Sequence, residues 1–286
     1  MMESQTTLAV IVLYRVAADA SQAFCSLRSL MAADPQAAAA IDLMLFDNSP
    51  QPQPRPAGYT GPYIPNPANP GLAACYNLAL QSAQRQAIPW LLLLDQDTTL
   101  TRDYLAEVSA QIESLAHQQE VVALVPRLTD RGVVCSPIHP PAFGPARPIA
   151  NGASGVSPDR LHVFNSGAVL RVRAVAAIGG FPEDFPLDYL DHATFAALQD
   201  RGGRLYILNA TLQHELSSNQ EGRTDLAFTQ RQASVLDAEY RFYHRFGSTG
   251  DQLRRRLRLL RACAGRILRR KEVNQTWRML KSALRS

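Results

Sequence analysis

The stretch PWLLLLDQDTTL, residues 89–100, places four consecutive leucines directly before two carboxylates, Asp95 and Asp97. A short, continuous apolar run bounded by polar residues is typical of a strand buried in a parallel sheet. Two carboxylates this close repel each other, and each raises the pKa of the other unless a cation lies between them. The stretch therefore predicts a central strand whose carboxyl end faces a positively charged group.

Similar apolar runs alternate along the chain with segments that have the spacing of amphipathic helices. The alternation predicts an α/β fold in which an open, mostly parallel sheet carries helices on both faces. Two segments rich in proline, 50–70 and 136–163, predict irregular loops. The predicted strands cover residues 7–15, 41–47, 90–95, 121–128, 164–172 and 204–216, and the predicted helices cover 21–33, 71–86, 102–117, 173–177, 189–199 and the chain from 227 onward.

Length and composition favour one large domain with a small appendage. The chain has 286 residues, of which 46% are hydrophobic, and no apolar run approaches the roughly 20 residues that span a bilayer. The first residues lack the basic start and cleavage site of a signal peptide. The four cysteines are scattered without a CxxC spacing, which favours reduced thiols over disulfides or a zinc site. A cytoplasmic protein is expected.

The charge is distributed unevenly. Residues 251–286 contain twelve Lys or Arg and two acids, a net charge of +10, so the rest of the chain carries −6 of the total +4. This segment also has apolar residues at helical spacing, and two interpretations stay open: a helix packed on the body, or a helix lying on the anionic inner face of a membrane. Nucleic acid is not an expected partner, because no nucleic-acid fold signature is present. The apolar positions are Leu253, Leu257, Leu260, Ala264, Ile267 and Leu268.

Acidic clusters follow two of the predicted strands. Asp47 comes at the end of the second, and Asp95 and Asp97 come at the end of the third. In open α/β sheets, ligands bind beyond the carboxyl ends of the strands. Carboxylate oxygens there suit Mg²⁺ or Mn²⁺ that also binds substrate phosphates. Structural alternatives stay open, since Asp47 could form an Asx turn and Asp97 could cap the helix near residue 102.

The pattern of an apolar strand followed by DxDxT also occurs in haloacid-dehalogenase-type phosphatases. In those enzymes the motif usually begins the chain, and a downstream lysine holds the phosphoryl group. Here the motif lies a third of the way along the chain, and the first lysine is Lys271. These two departures argue against a phosphatase.

Five motifs in order carry a different resemblance. The runs LFDNSP, NPGLAACYNLAL, LLLLDQDT, NSGAVLRVRAVAAIGGFPEDFPLDYLD and LQHEL together resemble the inverting family-2 glycosyltransferases with a GT-A fold, and most of all the bacterial rhamnosyltransferases that use a dTDP-sugar. The resemblance covers roughly residues 7–245. It implies a GT-A domain over 1–245, with a nucleotide-sugar half of about 1–100 and an acceptor half of about 101–245, and a basic helical extension over 246–286.

The resemblance also implies an activity and its partners. A divalent metal, Mg²⁺ or Mn²⁺, would bind the diphosphate of a nucleotide sugar, most simply dTDP-rhamnose, and the sugar would pass to a hydroxyl of a glycan or lipid-linked acceptor in surface polysaccharide synthesis. Peripheral contact with an anionic membrane through residues 251–286 would suit such an acceptor. A non-catalytic GT-A-like protein that binds a nucleotide sugar or a membrane within an assembly complex is the alternative.

The roles that the family's motifs imply fall on specific residues. For the metal, Asp97 is the first candidate, together with Asp95 and His214, although a lone histidine such as His214 could equally be a polar core residue. For the catalytic base, Asp191 fits the pattern first and Asp188 second. Nucleotide-sugar binding is expected for Tyr14, Arg15, Asp47, Asn48, Asn69, Gly71, Asn77, Asp95 and Gln96.

Three positions near the base depart from the family's pattern. Ala197 stands where an arginine is common, Pro186 where an aromatic residue is usual, and His192 where an aliphatic or polar residue is usual. These departures bear on the geometry of the acceptor side.

Overall fold

The computed structural model describes residues 7–140, 147–150, 152–213, 226–268 and 273–285. The described residues form two compact units, the first within 1–140 and 146–216 and the second from 217 onward. The described strands are β1 (Thr7–Leu13), β2 (Ile41–Asp47), β3 (Tyr63–Pro65), β4 (Trp90–Asp95), β5 (Val121–Asp130), β6 (Val133–Ser136), β7 (Ile138–His139), β8 (Arg147–Pro148), β9 (Gly155–Val156), β10 (Ala168–Arg171) and β11 (Arg204–Gln213).

Five of the helices lie within three residues of their predicted bounds, the helix Pro35–Ala40 was not predicted, and the segment predicted as helical from 227 onward contains three described helices. A single 3₁₀ turn (Ala18–Ala20) precedes the first of the described helices. The described helices are α1 (Gln22–Ala33), α2 (Pro35–Ala40), α3 (Leu72–Arg85), α4 (Arg102–Ser114), α5 (Val172–Ala177), α6 (Leu190–Asp200), α7 (Leu226–Phe246), α8 (Thr249–Leu268) and α9 (Val273–Leu284).

The central sheet has the order β3-β2-β1-β4-β10-β5-β11-β9, with β6 added on β5. Strands β1, β2, β3 and β4 are parallel to one another, and β11 is parallel to β5. Strand β10 lies between β4 and β5 and is antiparallel to both. The predicted α/β fold with a mostly parallel central sheet is therefore confirmed.

The central strands of the sheet are apolar throughout, and the burial of their residues shows that both faces of the sheet are covered. All seven residues of β1 are buried, and so are Leu91 to Leu94 of β4.

Helix α1 is capped by Ser21, whose hydroxyl accepts the Phe24 N–H, and helix α4 is capped by Thr101, whose hydroxyl accepts the Tyr104 N–H at 3.2 Å. The cap of α4 is thus Thr101, and the alternative that Asp97 supplies it is wrong.

The proline-rich segment 50–70 is not entirely irregular, as the sequence had suggested. Residues Tyr63–Pro65 form β3, which pairs in parallel with β2 at the edge of the sheet. A proline lacks the N–H that an inner strand must donate, but it is tolerated in an edge strand. The loop prediction for 136–163 likewise missed the short strands β7, β8 and β9.

The second unit consists, in its described part, of α7, α8 and α9, which pack on one another. Contacts place α7 in this unit, although the sequence analysis assigned residues up to 245 to the first domain. In the part of the chain that the structure describes, no helix combines the length and the apolar composition needed to cross a membrane.

Candidate active site

The carboxyl ends of three parallel strands meet at one edge of the sheet. Strand β1 pairs with β2 so that Leu13 lies opposite Asp47, and it pairs with β4 so that Val12 lies opposite Asp95. The two acidic clusters predicted from the sequence are therefore brought to the same edge, on either side of β1. This is the edge where ligands bind in such sheets.

Asp47 is buried and its carboxylate is used within the protein. Its oxygens accept the N–H groups of Ser49 at 2.9 Å and Gln53 at 2.6 Å and the hydroxyl of Tyr63 at 2.7 Å. Burial alone would raise the pKa of Asp47, but these hydrogen bonds outweigh it and hold the pKa below its ordinary value. Asp47 thus has the turn-forming role that its sequence context allowed, and contact with a nucleobase stays a prediction.

The chain leaving β1 is held by its neighbours on both sides. The Tyr14 N–H donates to Oε1 of Gln96 at 2.8 Å, and the Arg15 N–H donates to the Ser49 hydroxyl at 2.7 Å. Arg15 has a φ of 57°, and its guanidinium lies 5.0 Å from the centre of the Tyr14 ring, which is 40% exposed. Gln96 and Ser49 therefore shape a turn that presents an exposed aromatic face and a cation. Ser49 was not identified from the sequence.

The DxD segment forms a tight turn after β4. The Thr98 N–H donates to the Asp95 carbonyl oxygen at 3.1 Å, and the buried Thr98 hydroxyl is hydrogen-bonded to the hydroxyl of Ser166. Asp95 and Asp97 are half-buried, and Oδ1 of Asp97 is buried. Ser166, at the start of β10, is a further part of this turn that the sequence analysis missed.

The two DxD carboxylates suit a metal ion in their chemistry. Within the described residues, no group of three or more His, Cys, Asp or Glu side chains converges as a ready-made metal site. Mg²⁺ commonly needs only one or two protein carboxylates when substrate phosphates and water supply the other oxygens. Asp95 and Asp97 fit that role. The third predicted ligand, His214, lies outside the described residues; Gln213 before it bridges to Thr99.

The loop before α3 approaches the end of β2. Asn48 is 3% exposed, and its Oδ1 accepts the Cys75 thiol at 3.4 Å. Asn69 has a φ of 46°, and its N–H donates to the carbonyl oxygen of Asn66 at 2.9 Å. These bonds fix the loop, and binding of a nucleotide by Asn48 or Asn69 stays a prediction.

Gly71 allows a close approach between two segments of the site. It has a φ of 91°, and a Cβ atom at this position would lie 2.6 Å from the carbonyl oxygen of Pro186. That oxygen accepts the N–H of Leu72, the first residue of α3, at 2.7 Å. The backbone of Pro186 thus occupies part of the helix start, where the family pattern would place an anion. Nucleotide binding by Gly71 stays a prediction.

Asn77 connects α3 to the glycine turn at residues 179–180. Its Nδ2 donates to the Phe181 carbonyl oxygen at 2.9 Å, and its Oδ1 accepts the Phe181 N–H at 2.8 Å. Nδ2 also lies 3.2 Å from Oε1 of Glu183. The amide is therefore satisfied by the protein itself, which gives Asn77 a structural role; the predicted nucleotide contact is not tested.

Tyr76 of α3 feels the charges of both Asp95 and Asp191, and it was missed from the sequence. Its side chain is fully buried against Phe181, and among the residues that the structure describes its hydroxyl has no hydrogen-bond partner. Burial raises the pKa of Tyr76 well above its ordinary value, and the nearby charges of Asp95 and Asp191 raise it further. The coupling of one hydroxyl to both residues indicates that the DxD segment and Asp191 face a common region.

Asp191 lies in the first turn of α6 and is 22% exposed in its side chain. Its Oδ1 accepts the N–H of His192 at 2.7 Å. Tyr189 before the helix has a φ of 63°, an unusual left-handed backbone for an aromatic residue and the kind of strain found at functional sites. Asp188, the second candidate base, is half-buried in the turn that precedes Tyr189.

An aromatic cluster adjoins Asp191. The His192 ring stacks on His162 and Phe164 at centroid distances of 5.0 and 5.6 Å, and the Tyr189 ring meets it edge-on at 5.1 Å. Burial lowers the pKa of His192 to about 4, so the imidazole beside Asp191 is neutral near pH 7. The departure at position 192 therefore places a stacked, uncharged ring next to the candidate base.

No protein-family model and no curated protein matches the chain. Solved structures do match. The chain is similar to S. aureus TarS at 12% identity with a TM-score of 0.55, over 97% of this chain and 55% of that one. It is similar to TarS 1-349 at 13% identity with a TM-score of 0.51, over 86% and 74% of the two chains.

TarS 1-349 in complex with UDP-GlcNAc also matches, at 11% identity with a TM-score of 0.50, over 87% of this chain and 76% of that one. This chain spans little more than half of the chain in the S. aureus TarS structure. At these low sequence identities, the structural similarity establishes the fold alone. The chain has the GT-A fold of glycosyltransferase structures.

Proposed function

We propose that the protein is a metal-dependent, inverting glycosyltransferase that transfers a sugar from a nucleotide sugar to a hydroxyl group. The observation that carries the proposal is the arrangement at one edge of a GT-A sheet: Asp95 ends β4 opposite Val12 of β1, and the buried Tyr76 hydroxyl is close enough to Asp95 and Asp191 that both charges raise its pKa. The likeness to TarS, which is a glycosyltransferase and binds UDP-GlcNAc, supports it.

Asp191 is the proposed base. Its carboxylate takes the proton of the acceptor hydroxyl while the acceptor oxygen forms a bond to the anomeric carbon of the donor sugar. The bond from that carbon to the diphosphate oxygen breaks on the opposite face, and its electron pair leaves with the nucleoside diphosphate. The configuration at the anomeric carbon is inverted, and no covalent link to the protein forms.

Asp97 and Asp95 are the proposed ligands of Mg²⁺ or Mn²⁺. When bound, the ion supplies stabilisation of the charge that develops on the departing diphosphate. The protein's own contribution is to hold the carboxylates at the end of a buried strand, in a turn fixed by Thr98 and Ser166.

The proposed donor is a dTDP-sugar, dTDP-rhamnose in the first place, on the strength of the DQDT motif and its neighbours in the sequence. The proposed acceptor is a glycan or lipid-linked saccharide of bacterial surface polysaccharide synthesis. Such an acceptor would place the enzyme at the cytoplasmic face of the membrane, with peripheral contact through residues 251–286.

Donor choice is tested by thermal shift with dTDP, UDP and GDP, each with Mg²⁺, with Mn²⁺ and with EDTA. The expected result is stabilisation by dTDP that requires the metal, because a ligand that binds only the native state raises its stability. Stabilisation by UDP alone would indicate a UDP-sugar as the donor in place of a dTDP-sugar, and the transferase proposal would stand. Equal shifts of the melting temperature in EDTA and in Mg²⁺ or Mn²⁺ would contradict the proposal that nucleotide binding requires a metal ion.

The reaction is tested by hydrolysis or transfer of the nucleotide sugar, for wild type, Asp191→Asn and Asp188→Asn. A general base contributes about 100-fold to 10,000-fold, so Asp191→Asn should lower turnover by at least about 100-fold without weakening donor binding. Asp188→Asn is the matched control and should retain most of the turnover. If the wild type binds nucleotide sugars but turns none over, the non-catalytic alternative replaces the enzyme.

A further inference from the structure

Helix α8 exposes a row of apolar side chains, here called the leucine stripe: Leu253, Leu257 and Leu260. Their exposed fractions are 56%, 44% and 38%, and Ala264, which continues the row, is exposed as well. Spacings of four, three and four residues put these side chains on one face of the helix. Such a face normally packs on a protein core, yet here it is presented to solvent.

The opposite face fixes the orientation of the helix. Arg255, Leu259 and Cys263 are 4%, 1% and 3% exposed. Arg255 donates from Nε to Oε2 of Glu239 in α7 at 3.1 Å and from Nη1 to the Ser282 carbonyl oxygen in α9 at 3.1 Å. Glu239 also pairs with Arg258 of the same helix, so turning the helix to bury the leucine stripe would break both ion pairs of this buried carboxylate, which is strongly destabilising. The exposure of the stripe is therefore built into the three-helix unit.

Arginines border the leucine stripe on both sides. At the helical repeat of about 3.6 residues per turn, Arg256 falls along one border and Arg254 and Arg261 fall along the other. The whole segment 251–286 carries a net charge of +10. A second copy of this chain docking through the same stripe would bring two cationic surfaces together, which is unfavourable. An apolar stripe between cations instead complements a lipid surface that carries negative headgroups.

We propose that the leucine stripe docks the protein on an anionic bilayer, with the leucines in the interfacial region and the bordering arginines at the lipid phosphates. Trp277 of α9, in the same unit, is 56% exposed, and Nζ of Lys281 lies 5.7 Å from its ring centre. Tryptophan and lysine are common at membrane interfaces. The leucine stripe is thus the surface that holds the protein to lipid, and this docking does not depend on the proposed transferase activity.

The test is co-sedimentation of the full chain with vesicles of phosphatidylcholine, with and without phosphatidylglycerol. Wild type should bind the anionic vesicles, more weakly at high salt, and should not bind phosphatidylcholine alone. The double variant Leu253→Gln/Leu257→Gln should bind anionic vesicles at least about tenfold more weakly, because it removes two apolar side chains from the lipid contact. Leu78→Gln is the control, since Leu78 of α3 is also 44% exposed but lies in the first unit, and it should bind as wild type does.

Three results would overturn the proposal. Equal vesicle binding by the double variant and wild type would show that charge alone attracts the protein. A dimer in sedimentation velocity that the double variant abolishes, without an effect on vesicles, would make a second copy the partner. A lower melting temperature of the double variant would show that the leucines stabilise the folded protein in solution. Arg261→Ala, at an exposed position that leaves the stripe intact, should independently weaken binding to the anionic vesicles and not change the melting temperature.

Discussion

The N–H of Leu72 donates to the carbonyl oxygen of Pro186 at 2.7 Å. The first N–H groups of a helix have no partner inside the helix, and here the segment that leads to Asp191 supplies one. The start of α3 and the candidate base are therefore connected by a backbone hydrogen bond. The residue at position 186 acts here through its carbonyl, so replacement of the family's usual aromatic residue by proline does not disturb this contact.

Gly71→Ala should weaken the fold more than a glycine replacement at another left-handed position. The variant forces a left-handed backbone on alanine, at about 1–2 kcal/mol, and also drives its Cβ into the Pro186 carbonyl oxygen. Gly58→Ala is the matched control, because Gly58 has a φ of 71° and nothing within 4 Å of the added atom. Urea unfolding of both variants measures the difference; equal losses of unfolding free energy would mean that the approach of Pro186 is not tight.

Tyr76→Phe should not lower the free energy of unfolding. A buried hydroxyl without a partner stabilises nothing, and its replacement by an apolar group of the same shape is neutral or stabilising. Tyr104→Phe is the control: its hydroxyl donates to the Gly167 carbonyl oxygen at 2.6 Å, and losing that bond should cost about 1–2 kcal/mol. Thermal unfolding of the two variants compares them, and a loss for Tyr76→Phe as large as that for Tyr104→Phe would refute the expectation.

His192 should make the native state sensitive to acid. Its pKa is lowered from 6.5 to about 4 by burial, so between these values the unfolded chain binds a proton that the native state does not. The unfolding free energy is then highest above pH 6.5 and falls on the order of 3 kcal/mol as the pH drops to about 4.

The variant His192→Phe tests this pH effect. It keeps a flat ring for stacking on His162 and Phe164 but cannot titrate, so its stability should lose most of the slope between pH 6.5 and 4. Urea unfolding of wild type and variant across this pH range measures the slopes. A variant that retained the wild-type slope would argue against the buried, neutral imidazole.

Asp47→Asn should destabilise the protein in the absence of any nucleotide. An amide cannot accept from Ser49, Gln53 and Tyr63 on both of its heavy atoms, and one unsatisfied buried group costs about 1–3 kcal/mol. Asp103→Asn, an exposed position in the first turn of α4, is the control and should change stability little. Unchanged stability of Asp47→Asn, combined with weaker nucleotide binding, would favour the direct ligand role.

Sequence periodicity predicted the α/β class and most element positions because the central strands are apolar without interruption. Strand β4 and helix α4 begin at the predicted residues, since the run WLLLLD and the capped segment after Thr101 have strong local signals. Strand β3 was missed because three residues flanked by prolines carry no periodicity, and only pairing with β2 at the sheet edge makes them a strand.

The sequence offered charged and neutral candidates for the site but did not point to Ser49, Tyr76 or Ser166. Asp95 and Asp191 stand out because carboxylates after an apolar strand or at a helix start need a physical reason. Tyr76 and Ser166 do not stand out, since a tyrosine in an amphipathic helix and a serine before a strand have ordinary structural explanations. Their place in the site depends on contacts across more than 60 residues of sequence, such as the bond from Thr98 to Ser166.

The reversed direction of β10 has a consequence for how the two sides of the site can change. Its neighbour β4 runs in the opposite direction and reaches the ligand edge with its last residue, whereas β10 reaches that edge with its first. The chain arriving through His162 and Phe164 therefore delivers its side chains there before the strand begins. Insertions or substitutions in that incoming loop, ahead of Ser166 whose hydroxyl holds the DxD turn, need not disturb the crossover helices that position Asp95. One flank of the site is free to diversify while the other keeps its geometry.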